Sequence, residues 1–247
     1  MEGAGLQRVN FNGAVLDGAN LEGAIMEGAT LRKASLAGAK YEVESFAQKG
    51  WLKGAMLGPV AWSGKNLAGA QLQGCDLEEG SVAGCNFANA NLMHANLKGV
   101  NVKGADFREC KYDEMVFAKR GWLAGALVGK VDWSGADLRE ANLSGCELRN
   151  ANLSNADLRG ANLDNADLQG ANLQGASCVG ASMKNADVRA TKFWETDLQT
   201  ANVHSSKMDE NTSFYMAKVA GATLSFEGWG KAKNTEHAEG ADHAKMV

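Results

Sequence analysis

Between Ala136 and Leu173 the chain reads ADLREANLSGCELRNANLSNADLRGANLDNADLQGANL. The triplets Ala136-Asp137-Leu138, Ala141-Asn142-Leu143, Ala151-Asn152-Leu153, Ala156-Asp157-Leu158 and Ala171-Asn172-Leu173 mark a period of five. Each period holds a small residue, a polar one, a large apolar one and two more small or polar ones. An α-helix repeats every 3.6 residues and a flat strand every two, so neither accounts for this pattern. Repetition of this kind changes the meaning of every local signal and is read first.

A period of five is satisfied when each pentapeptide forms one side of a square coil. The large residue then points to the axis, and the small residue two positions earlier fills the corner beside it. Backbone groups pair with the coils above and below, as in a parallel sheet with layers about 4.8 Å apart. Asn and Asp in the middle of the triplet suit tight turns, because their side chains bond nearby backbone. So narrow a core explains a chain with 30 glycines, a single proline (Pro59), 7% aromatic residues and a hydrophobic share made mostly of alanine and leucine.

Outward from the quoted stretch the same five-residue pattern reaches back to Leu6 and forward to Trp229. These residues resemble the pentapeptide-repeat family, whose pattern is A(D/N)LxX, over roughly residues 4–229. The resemblance implies an all-β fold, a right-handed quadrilateral parallel β-helix with four pentapeptides per coil. About eleven coils are expected, giving a rod of roughly 50 Å. The repeat domain is expected to span residues 1–229, with a C-terminal cap from about residue 209. Residues 230–247 read GKAKNTEHAEGADHAKMV, a polar tail expected to be disordered.

The frame slips by one residue after Phe46, after Phe117 and again before Phe214. The first two slips are near copies: Tyr41–Leu67 reads YEVESFAQKGWLKGAMLGPVAWSGKNL, and Tyr112–Leu138 reads YDEMVFAKRGWLAGALVGKVDWSGADL. Irregular turns are expected at residues 47–50 and 118–121. Trp62 and Trp133 fall on inward positions, Trp51 and Trp122 on outward ones. An outward tryptophan on a polar surface either anchors a partner or folds over its own bulge. Lys49 and Lys53 flank the first, Lys119 and Arg120 the second, so these six are the candidate protein-contact residues. The open C-terminal end needs a cover, and Phe214, Tyr215, Phe226 and Trp229 are the candidates for a cap or a homodimer contact.

No catalytic constellation is read. Cys75, Cys85, Cys110, Cys146 and Cys178 form no CxxC pair and are expected to be small buried thiols. No metal or cofactor site is expected. The net charge of −4 argues against a nucleic-acid partner. No apolar run approaches a membrane span and no signal peptide is read, so the expected compartment is the cytoplasm, with an organellar or cyanobacterial setting still compatible. The leading reading is a structural rod that binds an unidentified protein. The alternative implied by the resemblance is a DNA mimic acting on a type II topoisomerase such as gyrase. That role wants a continuous acidic stripe, whereas acidic and basic residues alternate through the best repeats.

Overall fold

Parallel backbone bridges join residues twenty apart: Gly5 to Ile25, Asn10 to Thr30, Val15 to Ser35 and Asn20 to Lys40 near the start, and Asp137 to Asp157, Asn142 to Asn162 and Glu147 to Asp167 further on. Four pentapeptides therefore complete one coil. The structure is a computed structural model that describes residues 1–247, apart from the side chain of Phe226. It divides into two compact units, Met1–Glu114 and Met115–Val247. Each side of a coil gives one paired residue before it turns, too short a run to count as a strand. Extended pairs appear only in β1 (Asn202–Val203), β2 (Thr223–Leu224) and β3 (Lys245–Met246), which lie parallel in that order.

The block from 136 to 189 shows why the sequence takes this shape. Leu138, Leu143, Leu148, Leu153 and Leu158 are fully buried, and Ala141, Cys146, Ala151 and Ala156 close the corners beside them. Burial of each leucine stabilises by about 2–3 kcal/mol. The corner is a tight turn in which Ala141 N donates to Leu138 O at 3.1 Å. It needs one residue with positive φ, supplied by Gly145 (66°) or by Asn150 (57°), a residue that tolerates the left-handed region. The middle Asn or Asp steadies the turn: Asn142 Oδ1 accepts from Ser144 N at 3.2 Å, and Asp157 Oδ1 from Arg159 N at 3.3 Å.

Several polar corner residues meet a carbonyl of the preceding coil. The thiols of Cys75 and Cys146 donate to Leu52 O and Leu123 O at 2.8 Å, and the hydroxyls of Thr191 and Thr196 donate to Leu168 O and Leu173 O at 2.8 and 2.7 Å. All five cysteines are free, and four are buried. Burial pushes the Cys75 and Cys146 thiols up to about 12, which keeps them from the reactive thiolate form.

The slips differ from the expected turns. Helix α1 (Val43–Gln48) and helix α2 (Glu114–Lys119) each replace a side of a coil. The ladder does shift by one residue, since Ser35 pairs with Met56. The added residue is absorbed by a helical turn because Glu42 O accepts from Phe46 N at 2.9 Å, which starts α1 and carries Phe46 into the core.

Each slip carries an acidic residue that stands in for a missing backbone acceptor. In a regular coil the left-handed residue donates to a carbonyl nineteen residues on, as Gly18 N does to Ala37 O. At the slips the acceptor is a carboxylate: Gly23 N donates to Glu42 Oε1 at 3.0 Å, His94 N to Asp113 Oδ2 at 3.0 Å, and Ala190 N to Asp209 Oδ1 at 2.8 Å. Asp209 also accepts from Asn211 N and Thr212 N, forming the third slip without a helix.

The polar tail, expected to be disordered, instead continues the coil. Lys233 bridges to Ser213, Glu239 to Lys218, and β3 pairs with β2. Composition missed this because the tail is held by backbone: Lys233 N donates to Thr212 O, Glu239 N to Ala217 O and Lys245 N to Ala222 O. The preceding coil presents these acceptors whatever side chains follow. Helix α3 (Phe226–Lys231) opens this last coil, capped by Ser225 Oγ, which accepts from Gly228 N. Among the described residues no helix is long and apolar enough to cross a membrane.

Candidate protein-contact sites

Helix α1 builds the most shaped surface of the first unit. Phe46 is buried, and the Trp51 ring meets it edge-on with centroids 4.9 Å apart and planes at 87°. Tyr41 covers the same phenylalanine from 5.1 Å. Lys49 Nζ lies 4.6 Å from the Trp51 ring centroid, a cation–π contact that holds the ring in place. Between α1 and the preceding coil runs a groove of about 710 Å3. Gly23, Ala24, Ile25, Glu27 and Gly28 line one wall, and Glu42, Ser45, Phe46, Lys49 and Trp51 the other. Ile25 is 51% exposed. Of the sequence-predicted residues, Lys49 and Trp51 come together here, whereas Lys53 is exposed and lies outside the groove lining.

The second copy is packed more tightly. The Trp122 ring lies edge-on to Phe117 at 5.2 Å, under the Arg120 guanidinium at 5.2 Å. Trp122 was expected to face outward, yet it is buried, and Trp51 is only partly exposed. The reason is the helix, whose phenylalanine supplies an aromatic platform inside the bulge that a simple turn would lack. Lys119 does not join its tryptophan, because its Nζ donates to Asp137 Oδ2 at 2.7 Å.

At the C-terminal end Phe214 is buried, stacked on Phe193 at 5.0 Å and 10° and tilted against Trp229 at 4.9 Å. Tyr215 is exposed and faces the His237 ring at 5.5 Å. Phe226 lies outside the described side chains. Sequence reasoning missed Trp194, which is exposed beside Tyr215's coil, donates from Nε1 to Ser213 Oγ at 2.9 Å and lies under Lys192. Its signal was an aromatic residue directly after the inward Phe193, a position that carries no other aromatic through that block.

The Asp-x-Arg repeats neutralise their own charge. In the Asp-x-Arg sequences, Arg139 binds Asp137, Arg159 binds Asp157, Arg189 binds Asp187 and Arg108 binds Asp106, each through two nitrogens. Arg149 reaches across one coil to Asp167 at 2.6 Å. These guanidiniums hold Asp157 and Asp187 below the usual carboxylate range. Among the described residues no group of His, Cys, Asp and Glu is placed to hold a metal ion.

The coil, its corner residues and its five-residue pairing define a repeat solenoid. A model of pentapeptide repeats matches eight copies, at residues 4–40, 66–108, 123–155 and 151–189, and the chain belongs to the pentapeptide-repeat family. The first two unmatched gaps contain α1 and α2. Among solved structures, the chain is similar to the pentapeptide repeat protein Rfr23 of the cyanobacterium Cyanothece, at 24% identity over 56% of this chain and 89% of that one, with a TM-score of 0.34. It is similar to HetL of the cyanobacterium Nostoc, a pentapeptide repeat protein involved in heterocyst differentiation regulation, at 22% identity over 97% and 87% with a TM-score of 0.29. Similarity to QnrB1, a plasmid-mediated fluoroquinolone resistance protein, is 15% identity over 88% and 84% with a TM-score of 0.35. A comparison with curated proteins finds no match.

Proposed function

We propose that this chain is a non-enzymatic scaffold that binds a protein partner, built as a right-handed quadrilateral β-helix of about eleven coils. Pentapeptide-repeat proteins are in general structural and interaction proteins. The observation that carries the reading is the groove beside α1, a concave site with an aromatic wall. Trp51 and Lys49 are the contact residues at this site. Trp122 and Arg120 serve chiefly as a packed cap, and Phe214, Tyr215 and Trp229 cover the last coil. The gyrase-directed alternative asks for unpaired carboxylates in a row, and the paired Asp-x-Arg sequences weigh against it.

The test is photo-crosslinking from a probe at exposed Lys53 in native lysate, with wild type compared with a Trp51→Ser variant at a temperature where both are fully folded. A protein crosslinked to wild type and lost from the variant is the expected result. Equal crosslinking by both, or none by either, would sink the α1 site as the contact.

A further inference from the structure

The groove contains a feature that side chains alone do not reveal. In the first coil the segment around Gly5 uses three groups to hold the next coil: Ala4 O accepts from Ile25 N at 3.0 Å, Leu6 N donates to Ile25 O at 2.9 Å, and Arg8 N donates to Glu27 O at 2.9 Å. The matching groups one coil on are Ala24 O, Met26 N and Gly28 N. Their partners belong where α1 stands instead of a pentapeptide. Among the described residues no hydrogen bond reaches any of the three. Gly28 is exposed, while Met26 is fully buried, so its unpaired N–H carries a desolvation cost of about 1–3 kcal/mol. Ile25 bridges only to Gly5, whereas Ser35, two sides further on, pairs with both Val15 and Met56.

The wall of the groove thus presents two unpaired backbone groups, Ala24 O and Gly28 N, which can pair with the backbone of an added segment from another chain. Its side chains state the chemistry of that segment. Ile25 offers an apolar floor facing Trp51. Glu27 and Glu42 line the two walls, and neither carboxylate takes part in an ion pair. Lys49 is turned onto the Trp51 ring. The second copy provides an internal contrast, because the residues matching Gly23, Ile25 and Glu27 are His94, Asn96 and Lys98. There Lys98 pairs with Glu78, and Asn96 bonds Asp76 at 3.0 Å.

We propose that the groove beside α1 binds a peptide segment of a partner protein through backbone pairing with Ala24 O and Gly28 N, the segment carrying an apolar residue over Ile25 next to lysine or arginine. This rests on the protein-binding reading above and names the chemistry of its partner. The segment supplies an acceptor to Gly28 N and a donor to Ala24 O, both on residues that line the groove, and its cation lies between Glu27 and Glu42.

The experiment uses the full chain and three capped heptapeptides: alternating valine and lysine, alternating valine and glutamate, and the lysine peptide with alternate backbone nitrogens methylated. Titration followed by amide hydrogen exchange reads both affinity and site. The lysine peptide should bind at least about tenfold more tightly than either other peptide, and should slow exchange at Gly28. The variant Ile25→Asn with Glu27→Lys carries what the second copy has at those positions, so it should melt as wild type does and lose about tenfold in affinity. Equal binding of the three peptides, or binding without protection of Gly28, overturns the proposal. Protection that rises with protein concentration alone would put a second copy in the groove and overturn it too. Either outcome, alongside retained Trp51-dependent crosslinking, would leave the protein-binding reading standing and remove only this mode of docking.

Discussion

The block from 136 to 189 and the segment from 41 to 56 solve one problem in opposite ways. In the block every coil hands its backbone groups to the next, so that Leu138 N, Leu143 N, Leu148 N and Leu153 N all donate to carbonyls nineteen residues on. Around α1 only the side through Ser35, Met56 and Asp76 keeps an unbroken bridge. The lost pairing is made up by particular atoms: the Glu42 carboxylate, the Ala47 carbonyl accepting from Gln71 N at 2.7 Å, and an aromatic cluster around Phe46. Regular coils are stable through repetition, with energy close to a sum over neighbours. The helical segment is stable through a few specific contacts, and it is the place where the fold gains a concave surface.

The largest effect should come from Leu158→Asp, which buries an unpaired charge in the regular block. A loss above about 4–5 kcal/mol is expected in chemical denaturation, and a mild loss would mean that Leu158 does not face the axis. Phe46→Ala should cost about 3–5 kcal/mol. Its effect should be local, with hydrogen-exchange protection lost over residues 41–52 while residues 136–189 keep theirs. Protection lost everywhere would erase the distinction between the two regions.

Next in size is a contrast between the copies. Trp122→Ser should lower the melting temperature more than Trp51→Ser, because Trp122 is the more buried ring. The reverse order would show that the Lys49 contact, and not burial, holds the tryptophans.

Asp209→Asn sharpens the comparison through pH. Burial works to raise the Asp209 pKa, but the N–H groups of Ala190, Asn211 and Thr212 and the Thr212 hydroxyl outweigh it, and the carboxyl sits below its usual range. A depressed folded pKa contributes stability above the unfolded value of about 4, and that stability is lost as pH falls through the folded pKa. Wild type should therefore lose stability on acidification below about pH 4 more steeply than the variant, read from melting temperatures between neutral and acid pH. Parallel acid limbs would show that the carboxylate charge is not what holds the slip. The smallest effect belongs to Arg159→Ala, an exposed ion pair of the regular block, expected within about 0.5 kcal/mol of wild type. A larger loss would show that the Asp-x-Arg pairs brace the coils.

Legibility in the sequence followed regularity. Leu138 to Leu173, Trp62 and Trp133 could be placed inward by counting fives, and all are buried. The inward place of Phe46 was also countable, but not the helix that puts it there, because the residues VESFAQ carry no capping signal and the Glu42 side chain makes no cap of its own helix. Lys49 beside Trp51 was read from adjacency. Ile25 and Glu27 were not, since they meet the tryptophan only across a coil.

The sequence alone determined the five-residue side, the identity of the inward residues and the register between slips, because each side repeats the same local rule. Only the tertiary structure decided what happens where that rule fails. Glu42, Asp113 and Asp209 act on residues nineteen positions earlier, and the tail at Lys233, Glu239 and Lys245 is held by carbonyls of the coil before it. Those partners become neighbours only when a coil closes, and backbone acceptors leave no mark in the side chains of the segment that pairs with them.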